Sequence, residues 1–452
     1  MNYNTAGIES FGIYIPQQYV EIEDLAIARN IDPDKLTKGL GLQKMSIPNA
    51  SETTQFMAKE AICDLIKNHQ NNWDWSEVDR IYLGTESSID FSKPTITFIQ
   101  NDLEKEFNTS LEHVDFLDMT FACIGATDAL HICLDYVRLR PSKKCIVIAS
   151  DIAKYDLNSG GEYTQGGGAV ALLISTDSLA VSFDTFIGTS TQSAFDFYKP
   201  IQNFSKQQLA QELLQINGIE SIAKLPKTSE KTESSLEGLI NQFWDLPEET
   251  ISIHRKAPVY DGKYSNECYF NRINSALKKY LENSETTISS FDSWVFHLPY
   301  AYQGRRSAVK MWVNHYANNN ATIQSQLGDL WNNIPTEHDI AGYTNWLKSI
   351  SKSNPYLEFV NKQIAPSEKM SSEIGNMYTA SIFMAMLSAV AFSNITPRNL
   401  LFLAYGSGSK SKVFKGEVSK DLNVEQIKER LLRCIKKRKN ISVEEYEKQH
   451  SL

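Results

Sequence analysis

The sequence predicts an α/β protein whose strands are mostly buried and whose two halves share one plan. Three observations carry this. Five short apolar runs end in small or polar residues. Helical periodicities fill the intervals, and such alternation goes with a buried, largely parallel sheet. Each half also contains a strand and turn, a long helix, and a strand ending in glycines, with the change between halves near residue 180.

Taken in order, the first helical pattern is Thr53–Asn68 (TTQFMAKEAICDLIKN) and the first apolar run is Arg80–Ser87 (RIYLGTES). Asp128–Leu139 (DALHICLDYVRL) is helical, with Leu130, Leu134 and Val137 on one face and Cys133 beside them. Lys144–Asp151 (KCIVIASD) and Ala169–Ser175 (AVALLIS) complete the first half. The second half offers Ser293–Tyr300 (SWVFHLPY) and Asn399–Ser409 (NLLFLAYGSGS). Between them, Thr379–Phe392 reads as a buried helix, too short to span a bilayer. Residues 201–256 are rich in Gln, Ser, Glu and Lys and read as a surface insertion, with amphipathic helices at QQLAQELLQ and SLEGLINQFW. After Lys415 the chain reads as a charged terminal helix, with KKRK (Lys436–Lys439) as a solvated face.

A net charge of -9 gives no general attraction for nucleic acid or an anionic membrane, so any anionic ligand must meet a local basic patch. The amino terminus, with Glu9 early and no apolar run behind a basic start, is unlike a signal peptide. Six cysteines, scattered without paired or metal-ligand spacing, read as free thiols in a reducing compartment; the expectation is a cytoplasmic protein without a metal site.

Cys123 stands among Ala122, Gly125 and Ala126 at the head of a helical pattern. Unpaired N–H groups there favour a thiolate, and small residues leave room for a substrate. A buried inert cysteine is the competing reading. Glu86 directly follows an apolar strand, where a carboxylate beside apolar surface can act as a base; Asp90 is placed to orient that turn. His297 ends another strand, ahead of Arg305 and Arg306, two cations suited to phosphate or to an exposed helix start. Its rivals are His113 and His131. Glycine-rich stretches at Ser159–Val170 and Ala404–Ser411 fit neither nucleotide-binding spacing.

In this order the pieces resemble the 3-hydroxy-3-methylglutaryl-CoA synthase family of the thiolase superfamily: GTESSID, FACIGAT, SDIAKYDLNSGGEYTQGGGAVALLI, FDFYKP, APVYDGKYSNECY, VFHLPY, GNMYTAS and YGSGS, spanning residues 5 to 410. The resemblance implies a five-layer αβαβα fold from two duplicated halves, residues 1–180 and 181–415, usually dimeric. It implies Glu86 as general acid/base, Cys123 as acyl acceptor and His297 as the histidine that hydrogen-bonds the acceptor ketone. It places Asn376, Ser407, Thr164 and Tyr378 on the substrate, Arg305 and Arg306 on CoA phosphates, and Asp90, Asp151 and Asp196 in support. The substrates would be acetyl-CoA and acetoacetyl-CoA, with no cofactor beyond these thioesters.

There are departures. Ile124 follows the cysteine where the family has Tyr, and Tyr302 with Arg306 occupy the positions of two lysines. With the insertion, they keep open a β-branching enzyme that acts on a ketoacyl chain carried by an acyl carrier protein. A decarboxylating β-ketoacyl-synthase-like enzyme would not need Glu86, and a binding protein would not need all three reactive residues.

Overall fold

In the computed structural model, which describes residues 4–69, 72–177, 180–206, 209, 212, 215, 250–336 and 338–450, each of the five apolar runs lies in a strand. The reason is visible in their alternation. Along Lys144–Ala153, Cys145, Val147 and Ala149 enter one apolar cluster while Ile146 and Ile148 enter another on the opposite face. Gly166–Ser175 divides the same way, Val170, Leu172 and Ile174 against Ala171 and Leu173. A strand apolar on both faces must be covered on both, which is why helices flank the sheet.

The first half contributes β1 (Ala6–Tyr14), β2 (Gln18–Glu21), β3 (Lys44–Ile47), β4 (Val78–Gly84), β5 (Asp115–Met119), β6 (Lys144–Ala153) and β7 (Gly166–Ser175). Then follow β8 (Val181–Phe183), β9 (Gly188–Thr191), β10 (Ser293–Phe296), β11 (Asn399–Gly406) and β12 (Lys410–Val418). The large sheet runs β10-β11-β12-β8-β1-β7-β6-β4-β5, with β9 also on β12. Its two arms repeat one plan. β4 is parallel to β6, β6 antiparallel to β7, and β7 antiparallel to β1. Likewise β10 is parallel to β11, β11 antiparallel to β12, and β12 antiparallel to β8 and β9. The duplication expected from sequence is therefore present in strand order and direction.

Helix α1 (Thr54–Asn68) covers β1, β6 and β7 on one side, and α2 (Gly125–Leu139) covers β4, β6 and β7 on the other. In the second arm α3 (Gly262–Asn283) lies on β9, β11 and β12. After α4 (Gln303–His315) comes α5 (Ser381–Phe392), the buried helix expected, which packs on β10. α2 and α5 are the middle layer of the five-layer αβαβα arrangement; α5 is buried almost all round, while α2 leaves Ile132, Asp135 and Leu139 exposed along one stripe. Among the described residues no helix is long and apolar enough to cross a membrane, and all six cysteines are free.

Residues 197–259 form a separate compact unit, in which Ile201–Ser205 pairs antiparallel with Thr250–His254. The amphipathic helices expected at QQLAQELLQ and SLEGLINQFW lie outside the described residues, apart from single positions of the first.

The tail departs from its reading as one charged helix. It is α6 (Val424–Lys436), a short strand β13 (Lys439–Asn440) paired parallel with β2, and α7 (Val443–His450). Nor is KKRK wholly solvated: Lys436, Lys437 and Lys439 are exposed, but Arg438 is buried, donating to Ser46 Oγ (2.9 Å) and the Glu373 carbonyl (2.8 Å). A guanidinium has enough fixed donors to satisfy several buried acceptors at once, which a run of like charges does not reveal.

Candidate active site

Because β4 and β6 are parallel, their carboxyl ends lie side by side and deliver the residues that follow to one place. Gly84 ends β4 where α2 comes closest; a Cβ there would stand 2.1 Å from Ala126 N. Beyond it the chain turns around Asp151, which is fully buried. Asp151 Oδ1 accepts from Thr85 Oγ1 (2.8 Å), Glu86 N–H (2.9 Å) and Ser87 Oγ (2.9 Å). Its Oδ2 accepts from the N–H (3.1 Å) and hydroxyl (2.5 Å) of Thr379, at the entrance to α5. One carboxylate thus ties Glu86 to both arms.

Cys123 lies just before α2, in a loop where Ala122 has φ +39°, a conformation L residues rarely adopt. Its thiol donates to Glu86 Oε1 at 3.0 Å. The turn after β11 presses against the same loop: a Cβ on Gly406 would stand 2.7 Å from the Phe121 carbonyl and 2.9 Å from Ile124 N. Only glycine leaves the cysteine loop where it is.

His297 follows β10, its N–H donating to the Leu403 carbonyl (3.1 Å) and its own carbonyl accepting from Tyr269 Oη (2.7 Å). The ring is buried, and its Nδ1 has no hydrogen-bond partner among the described residues. Burial pushes its pKa down to about 3, so the imidazole is neutral and can donate without carrying charge. Asn376 is buried, its Oδ1 accepting from Tyr378 N–H (2.8 Å) and Ser381 Oγ (3.1 Å), which turns Nδ2 away from both. Its N–H donates to the Thr164 carbonyl (3.0 Å). Tyr378 is buried at φ +44°.

Three tyrosines join these groups. Burial, with Cys123 nearby, pushes the phenols of Tyr155, Tyr269 and Tyr378 up; Glu86 also acts on Tyr155 and Tyr378. Tyr269 is therefore bonded to the histidine segment and feels the charge of Cys123. Sequence reasoning passed over Tyr155, Tyr269 and Thr379; the available signal for Tyr155 was its place four residues after Asp151, at the end of β6.

Asp196, fully buried, accepts from Tyr405 Oη (2.9 Å), Ser265 Oγ (3.3 Å) and Gly408 N–H (2.8 Å). It holds the turn that carries the half-buried Ser407. Asp90 does less: it is exposed and, among the described residues, accepts from Ser92 and Lys93 N–H alone, closing its own turn, and those bonds lower its pKa. Arg305 is committed to the buried Glu368 and lies over the Tyr302 ring at 3.7 Å. Arg306 is exposed and donates to the Gly39 carbonyl (2.8 Å). Of the rival histidines, His113 is exposed, while His131 is buried edge-on to Phe414 beside Lys412.

A hydrogen-bonded thiol and carboxylate, a neutral histidine and a fixed amide are equipped for acyl transfer followed by proton abstraction next to a carbonyl. Comparison with known proteins agrees. The family model for hydroxymethylglutaryl-coenzyme A synthase, N terminal, matches residues 3–179, and that for the C terminal matches residues 240–452. A hydroxymethylglutaryl-CoA synthase of Enterococcus faecalis is 26% identical over 447 residues, covering 98% of this chain and 91% of that protein. One from Haloferax volcanii is 26% identical over 429 residues, covering 90% and 83%. Among solved structures, MvaS in complex with 3-hydroxy-3-methylglutaryl coenzyme A is 25% identical with a TM-score of 0.71, covering 100% of this chain and 93% of that one. The curacin pathway HMG synthase in complex with acetyl donor-ACP shares the fold, with a TM-score of 0.71 at 18% identity over 99% and 88%.

Proposed function

The chain belongs to the hydroxymethylglutaryl-CoA synthase family, and from that premise we propose how its residues run the reaction. It is an acyltransferase that condenses acetyl-CoA, acetoacetyl-CoA and water to 3-hydroxy-3-methylglutaryl-CoA and CoA. The Cys123 sulfur attacks the acetyl thioester, its proton leaves with CoA as the thiol, and an acetyl-Cys123 thioester remains. Glu86 then takes a proton from the acetyl methyl group. The enolate carbon adds to the ketone of acetoacetyl-CoA, whose oxygen accepts a hydrogen bond from neutral His297 and then the proton held by Glu86. Water cleaves the bond to Cys123, restoring the thiol and leaving the new carboxylate on the product.

Charge developing on the acetyl oxygen needs preorganised donors, each contributing up to about 3 kcal/mol. Gly408 and Ser409 N–H are engaged by Asp196 and the Gln192 carbonyl, so the proposed donors are Cys123 N–H and Ser407 N–H. Asn376 Nδ2, Thr164 and Tyr378 face the acetoacetyl group in this reading. Asp151 and Asp196 hold the two turns; Arg306 meets CoA phosphate, with Arg305 behind it.

The observation that carries the proposal is the 3.0 Å hydrogen bond from Cys123 to Glu86 at the head of a buried helix. The test mixes the protein with acetyl-CoA, follows CoA release and intact mass, then adds acetoacetyl-CoA. Acetylation of Cys123 that clears to product supports the proposal. Glu86→Ala should still acetylate but not condense; condensation at the wild-type rate in that variant would sink the assigned mechanism.

A second reading, with the acceptor on an acyl carrier protein, is favoured by one observation: Arg305 is tied to Glu368, leaving Arg306 as the exposed cation of the pair. An acetyl adduct that forms but ignores acetoacetyl-CoA, and clears only with a carrier-bound acceptor, would select it. The remaining assignments are proposals too. The halves divide at residue 180, which the repeated strand order supports, and the appendage begins after Val418 rather than at residue 416, because Gly416–Val418 pair with β8 in the sheet. The enzyme works without a cofactor in the cytoplasm, in keeping with six free thiols, as a homodimer, for which β5 at the end of the sheet offers an open edge.

A further inference from the structure

The main chain of Tyr155 is held on both sides by contacts that lead to the far end of the sequence. Its N–H donates to Gln165 Oε1 (2.7 Å), and Gln165 Nε2 donates to Tyr446 Oη (2.6 Å). Its carbonyl accepts from His450 Nε2 (2.7 Å), whose own carbonyl accepts from Lys154 Nζ (2.8 Å). Tyr446 Oη donates in turn to Glu162 Oε1 (3.1 Å), and Arg29 bridges Glu162 and Glu447 at 2.7 Å each. These tail residues all belong to α7, which is not adrift. β13 pairs with β2, and Ile441 and Tyr446 are buried with Val20, Leu25 and Met45. The loop so clamped, between Lys154 and Gln165, also carries Thr164, which holds Asn376.

We propose that α7 is a positioning element of the active site. His450 grips the Tyr155 carbonyl, Tyr446 grips the Tyr155 N–H through Gln165, and together they hold the segment between Asp151, which accepts from Glu86 N–H, and Thr164, which accepts from Asn376 N–H. His450 and Tyr446 touch no reacting atom; they act through Tyr155. The proposal rests on the reading of Cys123 and Glu86 as the reacting pair.

The test uses the full chain with His450→Leu, His450→Gln and Tyr446→Phe, each also in a Tyr155→Phe background. A small misplacement costs up to about 100-fold in rate, so His450→Leu and Tyr446→Phe should lower condensation kcat about 10-fold with KM little changed. His450→Gln keeps a donor and should restore most of it. With Tyr155→Phe already present, His450→Leu should cost little more, since both changes then disable one device. Equal losses in both backgrounds, or wild-type kcat in a folded His450→Leu protein, would overturn the proposal. Alkylation of Cys123 by iodoacetamide, located by peptide mass, needs no substrate. It should quicken in His450→Leu and in the milder Tyr446→Phe, and an unchanged rate in both counts against the latch even if the assigned reaction fails.

Discussion

Replacing Asp151 by Asn changes one atom in the most connected carboxylate of the site. The five hydrogen bonds described at Asp151 all come from donors, which suits an acceptor-only side chain. An asparagine cannot turn its NH2 toward Oδ1, where three donors converge, so it must face Thr379. The Thr379 hydroxyl can keep its bond to the Gly84 carbonyl (2.9 Å), but the Thr379 N–H is left buried against another donor. An orphaned buried N–H costs about 1–3 kcal/mol, and loss of charge weakens the three other bonds by several tenths to about 1 kcal/mol each. Relief from burying a charge offsets part of this, for a net loss of about 3 kcal/mol. Glu86 is held by one of the weakened bonds, and its displacement should cut condensation about 100-fold. Urea unfolding and the two-step assay, acetylation then condensation, measure both quantities. A stability loss below about 1 kcal/mol with an undiminished condensation rate would show that Asp151 does not hold Glu86, and the reasoning would fail.

Four further outcomes follow from the same geometry. An unfolded chain takes up a proton on its histidine near pH 6.5, but buried His297 resists down to about 3. Stability from this group is therefore complete above pH 6.5 and lost as pH falls toward 3, by on the order of 5 kcal/mol in total. His297→Asn should flatten the fall in urea-unfolding free energy between pH 7 and 4, and an unchanged slope would contradict the assignment. Gly406→Ala would place a Cβ 2.7 Å from the Phe121 carbonyl and push the cysteine loop. Acetylation should slow at least about 10-fold while the far-UV spectrum stays native. Arg306→Ala should raise KM for the CoA thioester at nearly constant kcat. Arg305→Ala strands buried Glu368 and should instead cost about 3 kcal/mol in an unfolding titration.

The sheet was legible because its signals are local. Lys144–Asp151 and Asn399–Ser409 are short apolar runs with turn residues behind them, and they became β6 and β11. The small residues around Cys123 were legible for the same reason, since a loop entering a buried helix against Gly84 and Gly406 tolerates nothing larger. The tail was not. KKRK looks solvated because charge is the visible property, and nothing near it in sequence announces that Ser46 and the Glu373 carbonyl wait for Arg438. Arg305 and Arg306 are neighbours of the same chemistry, yet one meets Glu368 and the other is exposed.

By itself, then, the sequence determined which residues could react and roughly where: a carboxylate after β4, a thiol before α2 and a histidine after β10. Periodicity, small residues and charge type are properties of a few consecutive positions. Only the tertiary structure decided who meets whom. Cys123 and Glu86 are 37 residues apart, Asp151 and Thr379 are 228 apart, and Tyr155 and His450 are 295 apart. Each chain segment specifies its own donors and acceptors, but their distance from one another is set by how the strands order and the helices pack.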